Sequence, residues 1–190
     1  MNDKNTIKFT GLHRVLHWTM VFSMLVLLIT GFLRMYWMGK KAFFQAVNSQ
    51  QEIEMTKDQA MVIYKSLRSP MWQWHEVFAN VMIFAFIIRI IYMLIKGVRF
   101  PNPFQSKQGI KQRLQGLVYV YFYLYVFMAS FTGVCMEYKI FSAYEDVFES
   151  AHKLGVYLFP IFVVLHFVGI ALAENSTQKG ITSKMIGGDK

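Results

Sequence analysis

Four apolar runs, each long enough to cross a lipid bilayer, constrain this chain more than any other feature of its sequence. A hydrocarbon core of ~30 Å needs roughly 20 apolar residues in helical form. The first run extends from about Val15 to Trp37 and the second from about Trp74 to Ile95. The third, Leu114 to Met136, holds no Asp, Glu, Lys or Arg, and neither does the fourth, Leu154 to Ala173. The first run is too long for the apolar region of a signal peptide, and no small-residue cleavage site follows it, so it reads as a span. Four spans in 190 residues predict one all-α unit, an integral membrane four-helix bundle forming a single domain over residues 1–190. No internal repeat and no low-complexity segment interrupts it.

Charge placement agrees. Charged residues are 16% of the chain, below the roughly 25% of soluble domains. A net charge of +9 would suit a nucleic-acid partner. The cations, however, fall between the apolar runs, where Lys and Arg flank membrane helices. The expected partner is therefore membrane lipid and not nucleic acid. Lys4, Lys8 and Arg14 precede the first span. Lys96, Arg99, Lys107, Lys111 and Arg113 fill the second loop, and Lys179, Lys184 and Lys190 follow the fourth span. These segments share one side of an even-numbered bundle. The third loop is acidic, with Glu137, Glu145, Asp146 and Glu149 against Lys139. The positive-inside rule then puts both termini in the cytoplasm of a bacterial inner membrane. The first loop, about Met38 to Gln73, carries several cations partly balanced by Glu52, Glu54 and Asp58. Within it, Thr56-Lys57-Asp58-Gln59 predicts a capping box that opens a short surface helix ending before Pro70.

The histidines carry the chemistry. There are five: His13, His17, His75, His152 and His166. An ionisable group within a span is costly and marks a functional site. Successive spans alternate direction, so His75 and His152 fall near the outer face. His17 falls near the inner face. His166 follows His152 by about four helical turns, ~21 Å along a helix axis. That brings it level with His17 and leaves it on the same helix face as His152. The result is two pairs at two depths, His75 with His152 and His17 with His166, whatever the absolute orientation. A zinc site would need three or four ligands at one point. Paired imidazoles in an apolar interior suit haem iron instead. With no Cys-x-x-Cys-His motif, covalent c-type attachment is excluded. The single Cys135 permits no internal disulfide and reads as a small core residue. The Met and Phe content reads as lipid-facing and core filling.

Neighbouring residues extend the pattern. His13 is one turn before His17 and is the rival ligand. His17 is preferred because it is deeper, leaving His13 to bond a haem propionate or carry protons. Arg89 lies about four helical turns after His75, on the same face. It has two readings, as a propionate partner or as a cation snorkelling to headgroups. Arg14 and the basic second loop share both. Gly31, about four turns after His17, either leaves room for a flat macrocycle or serves close helix packing.

At Arg14-Val15-Leu16-His17-Trp18, His75 with Arg89, Thr132-Gly133, His152 followed by His166, and the tail Met185-Ile186-Gly187-Gly188-Asp189-Lys190, the chain resembles the bacterial cytochrome b561 family. That family includes the b-type cytochrome subunits of nickel–iron hydrogenase, formate dehydrogenase and thiosulfate reductase. The resemblance covers essentially the whole chain. It implies two haem b groups with bis-histidine iron, His17 as an inner ligand, and electron exchange between quinone and a redox partner. Gln115, at the start of the third span ahead of Thr132, looks like the glutamine that lines the quinone site in formate dehydrogenase relatives. The asparagine that accompanies it there has no counterpart here, where Gln112 stands nearest. The expected activity is electron transfer between a periplasmic cytochrome c or dehydrogenase/reductase subunit and the quinone pool, oxidoreductase only together with that partner. The alternatives are a haem-free anchor or assembly subunit and a stand-alone quinol:oxygen oxidoreductase.

Overall fold

The computed structural model describes residues 9–50, 55–96, 101–105, 109–175 and 179–188. Lys4, Lys8, Glu52, Glu54, Arg99, Lys107, Asp189 and Lys190 lie outside the described residues. The chain is all-helical among the described residues, with four helices long and apolar enough to cross a membrane. Helix α1, Gly11–Phe32, opens at Thr10, whose side chain accepts the His13 N–H at 3.2 Å. A π-helical turn, Leu33–Trp37, extends it to the expected end of the first span. A short helix α2, Lys40–Asn48, follows. Then come α3, Lys57–Lys96, and α4, Ile110–Glu137. Helix α5, Glu145–Lys153, leads through Leu154 directly into α6, Gly155–Glu174. A last short helix, α7, Ile181–Gly187, folds back on α1.

The first loop departs from expectation. The capping box forms: the Thr56 N–H donates to Gln59 Oε1 at 3.0 Å, and the Gln59 N–H to Thr56 Oγ1 at 3.3 Å. The helix it opens does not end before Pro70. It runs on through the second span as one helix of 40 residues. Proline removes one helical hydrogen bond, and the helix nevertheless continues past it. Arg68 lies over the Tyr64 ring at 5.0 Å and the Trp72 ring at 5.8 Å, one turn to either side. With a rise of about 1.5 Å per residue, α3 is ~60 Å long, about twice the hydrocarbon thickness. Its first half therefore projects beyond the bilayer, with α2 packed on it through Phe43 and Tyr64.

Within the membrane the bundle is two tight pairs. Helix α1 packs along α3, and α4 packs on α5 and α6. Helices α1 and α6 make a smaller contact between the two pairs. The buried core joins all four spans: Leu16, Met20 and Met24 from α1, Met82 and Phe86 from α3, Val126 from α4 and Phe159 from α6. Cys135 is buried, as expected of a small core residue. At the end carrying the termini, Trp18 Nε1 donates to the Met185 carbonyl at 3.3 Å and Arg14 Nη1 to the Ile186 carbonyl at 3.4 Å. Gly188 follows in the left-handed region, φ 82°. That backbone conformation favours glycine, and a Cβ there would also push on the mobile end of the Arg14 side chain, 2.7 Å away.

Candidate functional site

Two imidazole pairs form, and both bridge the seam between the two tight helix pairs. His17 on α1 faces His166 on α6 with ring centroids 6.1 Å apart. His75 on α3 faces His152 on α5 at the same 6.1 Å. The mid-depth core of Met20, Met24, Phe86, Val126 and Phe159 separates them. His13 is not part of either pair. It stacks on Phe9 and meets Tyr92 of α3 edge-on, so His17 is the residue that the fold turns toward His166.

The pair at the loop end is held by hydrogen bonds. His152 Nδ1 lies 3.0 Å from the Ala129 carbonyl. A carbonyl oxygen only accepts, so Nδ1 carries the proton and Nε2 keeps its lone pair. Thr132 Oγ1, 3.1 Å away, accepts from the same group while its own hydroxyl donates to the Met128 carbonyl at 2.7 Å. His75 repeats the arrangement: its Nδ1 is 2.8 Å from Thr30 Oγ1, and that hydroxyl donates to the Val26 carbonyl at 2.8 Å. Gly133 lets the His152 ring approach α4, where a Cβ would stand 3.2 Å from Cε1. Trp72 stacks on His75 at an interplanar angle of 11°, and Arg34 lies 4.9 Å above Trp72. Arg34 and Lys153 both pair with Glu149, at 3.4 and 3.0 Å.

The pair at the terminal end is held by packing. His17 meets Trp18 edge-on, and His166 stacks on Phe162. Arg89 donates from Nε to Tyr123 Oη at 3.3 Å. Arg89 is half-buried and lies toward this end of α3, about four turns after His75. Gln115 is exposed at the same end, hydrogen-bonded to the Tyr119 side chain. Gly31 meets only Val156, at an ordinary 3.5 Å for an added Cβ, which is close helix packing. Thr30, Thr132 and Trp72 join the site without having been expected there. The Thr132-Gly133 pair is a signal only as part of the family resemblance. For Thr30 the available signal is a lone hydroxyl in an apolar span.

Four apolar spans with imidazoles facing across an internal seam define a class: multi-pass helical membrane proteins with paired histidines between their helices. The chain belongs to the prokaryotic cytochrome b561 family, whose model matches residues 8–188. It is thus a multi-pass bacterial membrane protein and a b-type cytochrome of electron transfer. No curated protein and no solved structure matches it significantly.

The family implies haem, and the residues present fit it. Two imidazole nitrogens each about 2 Å from a shared metal put the ring centroids roughly 6 Å apart, the separation seen in both pairs. The hydrogen bonds at Nδ1 of His75 and His152 leave Nε2 as the free ligand atom on both rings. Among the described residues no group of three or more His, Cys, Asp or Glu converges as a bare metal site would require.

Proposed function

We propose that this single-domain chain is a di-haem cytochrome b that moves electrons across the inner membrane between a periplasmic redox partner and the quinone pool. The observation that carries the reading is the equal 6.1 Å separation of two imidazole pairs at two depths of one seam. Haem iron, when bound, supplies a one-electron couple at each depth. His75 and His152 hold one group and His17 and His166 the other. Thr30, Thr132 and the Ala129 carbonyl orient the first two rings. Arg89, steadied by Tyr123, offers a guanidinium to a propionate. The apolar core between the pairs excludes water from the path between them.

Both termini are cytoplasmic in this reading, which places the His17–His166 pair on the cytoplasmic side. Quinone chemistry belongs there. Gln115 with Tyr119 can donate a hydrogen bond to a quinone carbonyl, and His13 near the surface can relay a proton. The partner, a cytochrome c or a dehydrogenase/reductase subunit, meets the opposite end. A pyridine-haemochrome assay on purified protein should give two b haems per chain. A value near one or zero would defeat the pairing. A Gln115→Leu, His13→Ala variant should keep both haems and slow reduction by a quinol analogue at least about tenfold, ~1.4 kcal/mol in the barrier.

A further inference from the structure

A cation stands beside the loop-end pair, and each helix there repeats the same step outward. On α1, the Thr30 hydroxyl bonds His75, and Arg34 follows Thr30 by four residues, in the π-helical turn. On α3, Trp72 precedes His75 by three, and on α5, Glu149 precedes His152 by three. Residues three or four apart share a helix face. Arg34, Trp72 and Glu149 therefore form a layer over the imidazole pair, one turn nearer the aqueous end. Their contacts close that layer. Arg34 Cζ lies 4.9 Å over the Trp72 ring, Trp72 stacks on His75, and Arg34 Nη2 is 3.4 Å from Glu149 Oε1.

The guanidinium of Arg34 is under-used. It offers several N–H donors in a planar fork, yet among the described residues only Nη2 finds an acceptor. At 3.4 Å that bond is long for a charged pair. Glu149 does not depend on it, because Lys153 Nζ holds the same oxygen at 3.0 Å. Two cations and one anion leave the cluster of Arg34, Lys153 and Glu149 with one positive charge. A cation serving headgroups would extend away from the protein into the interface. Arg34 instead lies over Trp72, with its side chain 31% exposed. Its place in a π-helical turn agrees, since such turns are frequent at functional sites.

We propose, resting on the di-haem reading above, that Arg34 is a cofactor-binding residue. The open edge of its guanidinium takes a propionate of the haem held between His75 and His152. A carboxylate there accepts parallel N–H bonds from the fork and completes the charge of the cluster. Trp72 fixes the plane of the guanidinium while it covers His75. Glu149 competes for the same cation and does not itself hold the cofactor.

The test follows haem transfer from the purified full chain to apomyoglobin, one spectral component at a time. The loop-end component is the one that His75→Ala removes. Arg34→Gln should speed its loss about tenfold and leave the other component unchanged. Arg34→Lys keeps the charge without the fork, so its rate should fall between those of Arg34→Gln and the unmodified chain. Glu149→Gln removes the ion pair but keeps Arg34, and should not speed the loss. If Arg34 served only that ion pair, the two Gln variants would behave alike. Equal rates in them, or an unchanged rate in Arg34→Gln, would overturn the assignment. The haem content of the unmodified chain, measured first, reports separately on the di-haem reading, since fewer than two haems would defeat that reading before any variant is compared.

Discussion

The two imidazole pairs have the same separation and different support. At the loop end, both rings donate from Nδ1, to Thr30 in one case and to Thr132 and the Ala129 carbonyl in the other. At the terminal end, the rings lean on Trp18 and Phe162, and Arg89 stands beside them. The two pairs thus have unlike electronic surroundings. A hydrogen bond accepted from Nδ1 makes the other ring nitrogen a stronger donor to iron and favours the oxidised metal. A nearby cation favours the reduced metal, since it stabilises the added electron, and less so where an anion such as a propionate pairs with it. Arg34 is the corresponding cation at the loop end, and Glu149 neutralises it in part. The loop-end site should therefore have the lower potential, and electrons should fall toward the terminal end.

The largest effect expected from breaking this comparison is loss of one site and not the other. Replacing His75 or His152 by alanine should reduce haem from two per chain to one and remove the same spectral component. Replacing His17 or His166 should remove the other component, and His13→Ala should remove neither. Next in size is Gly133→Val. Its Cβ would crowd His152 Cε1 at 3.2 Å, so the loop-end haem should be lost while the terminal-end haem stays. Gly31→Ala, with 3.5 Å to Val156, should leave haem content unchanged.

Smaller effects sharpen the contrast. Thr30→Val with Thr132→Val should weaken haem retention at the loop end by roughly 10–100-fold, measured by haem transfer to apomyoglobin. The other site should be untouched, and equal loss at both would refute the difference in support. Arg89→Leu should lower the potential of the terminal-end site alone, by ~1–2 kcal/mol or roughly 40–90 mV for one electron, in a potentiometric titration. Least of all, Glu149→Gln should cost under ~1 kcal/mol of stability, because the Arg34 and Lys153 pairs are partly exposed. A thermal melt would show a shift of a few degrees at most.

The spans, the even topology and the pairing of the histidines are legible in the linear chain. They follow from one-dimensional quantities: the length of apolar runs, the fixed rise of a helix per residue, and alternating direction. The pairing His17–His166 and His75–His152 can be read from spacing because both pairs sit on helices of known rise. The remaining features needed the packed bundle. Local rules read proline as a stop, whereas α3 continues through Pro70. The choice of His17 over His13 already follows from depth in the span, and the packed bundle adds that His17 faces His166 while His13 stacks on Phe9 and meets Tyr92. Thr30, Thr132 and Gly133 became site residues because side chains distant in sequence meet there. A hydroxyl or a missing Cβ carries no signal of its role until the neighbour that needs it is in place.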